Sequence, residues 1–149
     1  EHGTWLEVKK MASEKNLKIF VDDFTTWCGP CKMMSSKVFK DTAVGNFYNT
    51  YFVNYKLDME SEEGIAFGKL FPVEAYPTFL FFDDSIKLVK KKVGYTEALL
   101  FLEMGKSIAE PELTAVYLTQ LALLKLKLLC YQSTQRFRLI NGGLHIFSG

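Results

Sequence analysis

Hydrophobic residues recur along this chain with two different spacings, and these spacings predict most of its secondary structure. Residues 4–15 place Trp5, Val8 and either Met11 or Ala12 on one stripe of a helix, with charged residues opposite. Helical spacing also recurs at 32–40, 43–51, 62–71 and 96–108, and runs of β-branched and aromatic residues predict strands at 17–24, 52–58, 78–82 and 87–93. We therefore expect an α/β domain of order βαβαββα behind a leading helix.

Two cysteines stand where the first predicted strand gives way to a helix. In the segment Trp27-Cys28-Gly29-Pro30-Cys31, Pro30 suits a first helical turn and Gly29 allows the tight turn into it. A cysteine beside the unpaired N–H groups of a helix start has a stabilised thiolate, with a pKa of about 3.5 to 7 against roughly 8.5 for an unperturbed thiol. We expect Cys28 to be the attacking thiolate, and Cys31, the more enclosed of the two, to resolve the mixed disulfide.

The same spacing is also found in half of a zinc site, which needs four ligands. The other soft or borderline ligands, Cys130, His2 and His145, lie scattered near the termini without a second paired motif. The pattern therefore favours a redox pair, and we predict no metal and no cofactor.

Beyond the paired cysteines, residues 4–109 resemble the thioredoxin family. The similarity rests on the hexapeptide WCGPCK at 27–32, on Asp22 six residues before the first cysteine, on the segment YPTF at 76–79 ahead of a strand, and on Gly94 after the next strand. The stretch from 20 to 39 looks most like exported bacterial thioredoxin-like proteins, including the carboxyl-terminal domain of transmembrane electron-transfer disulfide reductases. The resemblance implies a thioredoxin fold, with a central mixed β-sheet flanked by helices.

The resemblance also implies which residues act. Cys28, Cys31 and Asp22 would be catalytic, with Asp22 buried beneath Cys31 and exchanging that thiol's proton through water. The bond between Tyr76 and Pro77 would be cis, and the backbone of Tyr76 would pair with the substrate as an added strand; a trans proline that starts an edge strand is the alternative. The surface that receives an extended polypeptide would consist of Trp27, Gly29, Pro30, Tyr76, Pro77 and Gly94.

Asp23 departs from the family pattern, which usually has an apolar residue at this point. The sequence therefore leaves open which of Asp22 and Asp23 is buried, and a solvent-exposed Asp22 at the end of its strand stays the alternative. Alignment on Asp58 places Asn54 where many members carry a lysine near the buried aspartate, so that pairing is open as well.

Composition fits one compact domain, and the resemblance implies that this domain spans 1–110 and is followed by an atypical tail at 111–149. The 149 residues are 48% apolar and 15% aromatic, enough for a substantial core, and 18 basic against 17 acidic residues indicate no nucleic-acid or anionic-membrane partner. Residues 113–131 are apolar on more than one helical face, but Lys125 and Lys127 interrupt them, so we predict no membrane span.

The tail has several open interpretations. It would be a helix packed on the domain or on a partner, the start of a truncated second domain, or sequence altered by a frame error. Residues 132–149 show no periodicity and are expected to be partly disordered. Cys130 is expected to be a small buried apolar residue, with a third redox partner or an intermolecular link as the alternative.

Together these features predict a thiol–disulfide oxidoreductase that reduces or isomerises protein disulfides by cycling Cys28 and Cys31 between disulfide and dithiol. The Gly-Pro dipeptide resembles that of reducing thioredoxins, whose potential is about −270 mV. The rival hypothesis is a client- or partner-binding module with incidental redox activity.

The expected partners are disulfide-containing proteins and an upstream redox partner, either thioredoxin reductase-like or a membrane electron-transfer protein. We expect a monomer in the periplasm or otherwise exported, with the cytoplasm as the alternative. Because no charged and apolar leader precedes residue 4, any targeting peptide is expected to have been removed or not included.

Overall fold

The computed structural model describes residues 3–141, without the side chains of 113–114 and 133–141. The chain divides after Ala109 into two compact units. The helices are α1 (Trp5–Lys15), α2 (Gly29–Met33) continued by a π-helical segment (Met34–Val38), α3 (Thr42–Tyr51), α4 (Glu62–Leu70), α5 (Ala98–Ala109) and α6 (Pro111–Asn141). The strands are β1 (Lys18–Phe24), β2 (Phe52–Asp58), β3 (Thr78–Phe82) and β4 (Leu88–Val93).

The four strands form one mixed sheet in the order β2-β1-β3-β4. Strand β1 runs parallel to β2 and antiparallel to β3, and β3 pairs antiparallel with β4. The predicted mixed sheet flanked by helices, with a leading helix, is therefore confirmed. The end of β1 lies next to the start of β3, which in turn lies next to the end of β4. The segment after β1, the segment before β3 and the segment after β4 therefore meet at one edge of the sheet.

Helices cover both faces of β1, which makes it a buried central strand. Ile19 and Val21 pack in one cluster with side chains of α1 and α4, whereas Phe20 packs in a second cluster with the π-helical segment, α3 and α5. In the second cluster Tyr48 stacks on Phe101 with ring centroids 4.5 Å apart and donates a 2.8 Å hydrogen bond to the Phe101 carbonyl. The sheet is thus packed between two layers of helices, one on each face.

Several predicted boundaries shift by one to three residues. The helix after the first cysteine begins at Gly29 rather than at 32, β4 begins at Leu88 rather than at 87, and α5 begins at Ala98 rather than at 96. The first of these shifts has a clear cause: the opening turn of α2 is defined by Pro30 and by the Cys28 cap, and apolar spacing alone does not detect it.

The second unit contains α6, a continuous helix through Asn141. The prediction of disorder from 132 onward is wrong as far as 141, and residues 142–149 lie outside the described residues. Cys130 is exposed, so the prediction that it is buried is wrong. Within residues 3–141, no helix is long and apolar enough to cross a membrane.

Candidate functional site

The two motif cysteines form a disulfide at the start of α2, with their Cα atoms 5.3 Å apart. Cys28 is the N-cap residue, and its Sγ accepts a 3.1 Å hydrogen bond from the backbone N–H of Cys31. In the reduced protein the same N–H would stabilise a Cys28 thiolate, because a donor aimed at sulfur favours its charged form. Both cysteines are 3% exposed, so Cys31 is not the more enclosed of the two.

The aromatic rings of Tyr76 and of Trp27, the residue before Cys28, contact each other. Their rings meet edge to face with centroids 6.0 Å apart, and Trp27 remains 65% exposed. The Trp27 indole Nε1 donates a 2.9 Å hydrogen bond to Oε1 of Glu60. Glu60 could not be identified from the sequence, because the contact spans 33 residues and no local pattern signals it.

The loop before β3 is tied to the end of β4. The Tyr76–Pro77 peptide bond is cis. The Pro77 carbonyl accepts a 2.8 Å hydrogen bond from the N–H of Gly94, whose φ of +86° favours glycine. Gly29 and Pro30 are exposed in the first turn of α2, at the same edge of the sheet. The structure thus brings the predicted substrate-binding residues to one edge, and their role stays a prediction.

Asp22 is buried at 3% exposure on the face of β1 that carries α3 and α5. Burial raises the pKa of its carboxyl to about 7, and the charge of Lys56 opposes that rise. Asp22 and Lys56 line a cavity of about 210 Å³, and Lys56 also lines a second cavity that reaches Cys31. Lys56 therefore lines both cavities, and proton exchange between Asp22 and Cys31 stays a prediction.

The lysine beside Asp22 is Lys56, not a residue at position 54. The β1–β2 register pairs Asp22 with Lys56, two residues beyond Asn54. The Asn54 amide instead donates to Asn49 Oδ1 at 2.9 Å. The alternation of β2 keeps positions 54 and 56 on the same face of the sheet, so the sequence pattern alone could not decide between them.

Asp23 is also buried, on the opposite face of β1, and is 0% exposed. Neither of its carboxylate oxygens has a hydrogen-bond partner among the described residues. Burial and the neighbouring charge of Asp22 raise the pKa of its carboxyl to about 8, against an opposing effect of Lys91. Both aspartates are buried because β1 is covered on both faces.

The described part of the chain contains no cluster of three His, Cys, Asp or Glu side chains that could hold a metal ion. The chemistry that the observed groups support is thiol–disulfide exchange, since the site consists of paired sulfurs, a helix start and buried acids.

Comparison with known proteins agrees with this chemistry. The solution structure of a candidate disulphide isomerase from Bacteroides thetaiotaomicron is 43% identical, covers 75% of this chain and 93% of its own, and has a TM-score of 0.64. Thioredoxin H3 of Arabidopsis thaliana is 31% identical over 105 residues, which are 70% of this chain and 84% of that protein. Thiol:disulfide interchange protein DsbD of Pseudoalteromonas atlantica is 30% identical over 65% of this chain, but the match spans 17% of that protein. The family model described as a thioredoxin-like domain matches residues 7–109, more than half of the 149, so the chain belongs to the thioredoxin-like family of thiol–disulfide oxidoreductases.

Proposed function

We propose that the protein reduces or isomerises the disulfides of protein substrates, with Cys28 as the attacking group. The Cys28 thiolate attacks one sulfur of a substrate disulfide, forms a mixed disulfide and releases the other substrate sulfur as a thiolate. Cys31 then loses its proton and attacks Cys28, which restores the Cys28–Cys31 disulfide and releases the second substrate thiol. The observation that carries this order is the Cys31 N–H, which donates to Cys28 Sγ at 3.1 Å.

The surface beside the disulfide supports an extended polypeptide as substrate. Trp27 offers a largely exposed ring, and Tyr76 and Pro77 precede a strand whose neighbour ends at Val93, just before Gly94. A substrate backbone that pairs with the backbone at Tyr76 would place its cysteine against Cys28.

Asp22 is the proposed base for Cys31. A carboxyl whose pKa lies at about 7 can accept and return a proton near neutral pH, as general acid–base assistance requires. Cys31 and Asp22 each line a cavity that Lys56 shares, which supports a route through water and the lysine.

Single-cysteine variants test the order of attack. With dithiothreitol as electron donor, Cys28→Ser should abolish the reduction of insulin disulfides. Cys31→Ser should accumulate a mixed disulfide with the substrate, because the resolving thiol is missing. Full insulin-reducing activity of Cys28→Ser would reject this mechanism, whereas a wild-type protein without this activity would favour a binding module. A reduction potential of the pair above roughly −180 mV would reject a reductive role.

The proposed electron donor is a membrane electron-transfer protein or a thioredoxin reductase-like enzyme, and the proposed location is exported or periplasmic. Similarity to part of a thiol:disulfide interchange protein supports a redox partner. The proposed location rests on the resemblance of residues 20–39 to exported thioredoxin-like proteins. Fractionation of the native cells with an antibody to this chain tests the location, and recovery of the protein only from the cytoplasm would contradict it.

A further inference from the structure

A cavity of about 500 Å³ opens beside Cys31, and none of the proposed peptide-surface residues lines it. Three lysines line it: Lys32, Lys40 and Lys56. No carboxylate is among its lining residues. Lysine side chains are cationic at neutral pH, so the walls of this cavity carry positive charge.

None of the three lysines forms a salt bridge with a described side chain. Within the described part of the chain, the salt bridges are Lys10–Glu14 and Lys106–Glu103, and neither involves a cavity lysine. Lys56 Nζ donates a 2.7 Å hydrogen bond to the Ser35 hydroxyl, a neutral partner that leaves its charge in place. Asp22 faces Lys56 across the strand pair, but it lines the other cavity. Like charges held together in this way attract an anion.

Hydroxyl groups complete the cavity wall. Thr25 is 2% exposed, and its Oγ1 has no hydrogen-bond partner among residues 3–141 with described side chains. Thr25, Ser35 and Ser36 all line the cavity. Lysine and hydroxyl donors around one space match the acceptor oxygens of a carboxylate.

We propose that this cavity is an anion site that receives a carboxylate of the disulfide substrate. The carboxylate would come from a small peptide disulfide such as oxidised glutathione, or from an acidic side chain near the reacting cysteine of a protein. The Cα atoms of Cys28 and Cys31 are 5.3 Å apart, and Cys31 lines the cavity. Two or three extended residues, at about 3.5 Å each, therefore reach it from a cysteine bonded to Cys28. The inference rests on the proposed function, since it assumes that Cys28 attacks the substrate.

Matched peptide disulfides test the site. The reduced protein is mixed with two peptide disulfides that differ only in Glu or Gln two residues from the cysteine, and the second-order reduction rates are compared at low salt. The Glu peptide should react about threefold faster, as expected for opposite charges about 6 Å apart in water. Lys40→Gln should lower this ratio towards one. Lys37→Gln is the matched control, since Lys37 is exposed nearby but does not line the cavity, and it should keep the ratio.

The same variants distinguish the two carboxylate sources. If Lys40→Gln slows the reduction of oxidised glutathione more than Lys37→Gln does, the site accepts a small peptide; if only the Glu peptide is affected, it accepts an acidic side chain of a protein. If the two variants show equal Glu-to-Gln rate ratios and equal rates with oxidised glutathione, the anion site is overturned. Continued reduction of the Gln peptide would then show that the proposed function itself stands. Failure of the wild-type protein to reduce any of these disulfides would overturn the proposed function and this inference with it.

Discussion

Replacing the acid that is buried on the face of β1 opposite Asp22, Asp23→Asn, should make the free energy of unfolding less dependent on pH. Asp23 is 0% exposed and its oxygens lack hydrogen-bond partners within the described residues, so its charge is poorly solvated in the folded protein. The pKa of its carboxyl rises from 3.8 to about 8 on burial. Asparagine has nearly the same shape but cannot ionise, so the substitution isolates the effect of the charge.

The sign and size follow from the two pKa values. Between 3.8 and about 8 the Asp23 carboxyl is ionised in the unfolded chain but protonated in the folded one, so folding takes up a proton. The wild-type protein therefore loses about 1.4 kcal/mol per pH unit from this group as pH rises through that range. At pH 7 the loss amounts to about 4 kcal/mol, a large share of the typical stability of about 5–15 kcal/mol. Any cost of burying the amide that Asp23→Asn introduces does not vary with pH.

Urea unfolding of the oxidised protein at several pH values measures this difference. The stability of Asp23→Asn relative to wild type should rise by about 3 kcal/mol from pH 5 to pH 7. Asp84→Asn makes the same charge change at an exposed position and should show little such trend. A difference between Asp23→Asn and wild type that stays constant from pH 5 to pH 7 would refute the reasoning.

Three further changes test the site and its supports. In the wild type, the rate at which Cys31 resolves the mixed disulfide should rise near pH 7, where the Asp22 carboxyl ionises. Asp22→Asn should abolish this rise, and a rise that persists in stopped-flow assays would exclude Asp22 as the base. Tyr48→Phe leaves the Phe101 carbonyl without its 2.8 Å partner and should lower the free energy of unfolding by about 1–2 kcal/mol in urea, whereas an unchanged midpoint would mean that the bond contributes nothing. Gly94→Ala places a Cβ on a residue with a φ of +86° and should lower the free energy of unfolding by about 1 kcal/mol. It should also slow insulin reduction, because it strains the N–H that holds the Pro77 loop, and wild-type values in both assays would contradict this role.

The sequence alone determined the features that depend on residues close together in the chain. Alternation predicted β2 at its observed limits, Phe52–Asp58, and the spacing of Cys28 and Cys31 predicted a redox pair at a helix start. Such local features can be predicted from the sequence because a strand or a helical turn is specified by its own side chains. The burial of Asp22, expected from the thioredoxin resemblance, is also observed.

The tertiary structure decided which of these residues meet and which are covered. Alternation along β1 places Asp22 and Asp23 on opposite faces, but only helices packed on both faces bury both acids. The pairing of Lys56 with Asp22 depends on the register between two strands. The hydrogen-bond partner of Lys56, Ser35, lies 21 residues away from it in the chain. Register and packing are set by contacts between distant parts of the chain, so a local pattern does not contain them.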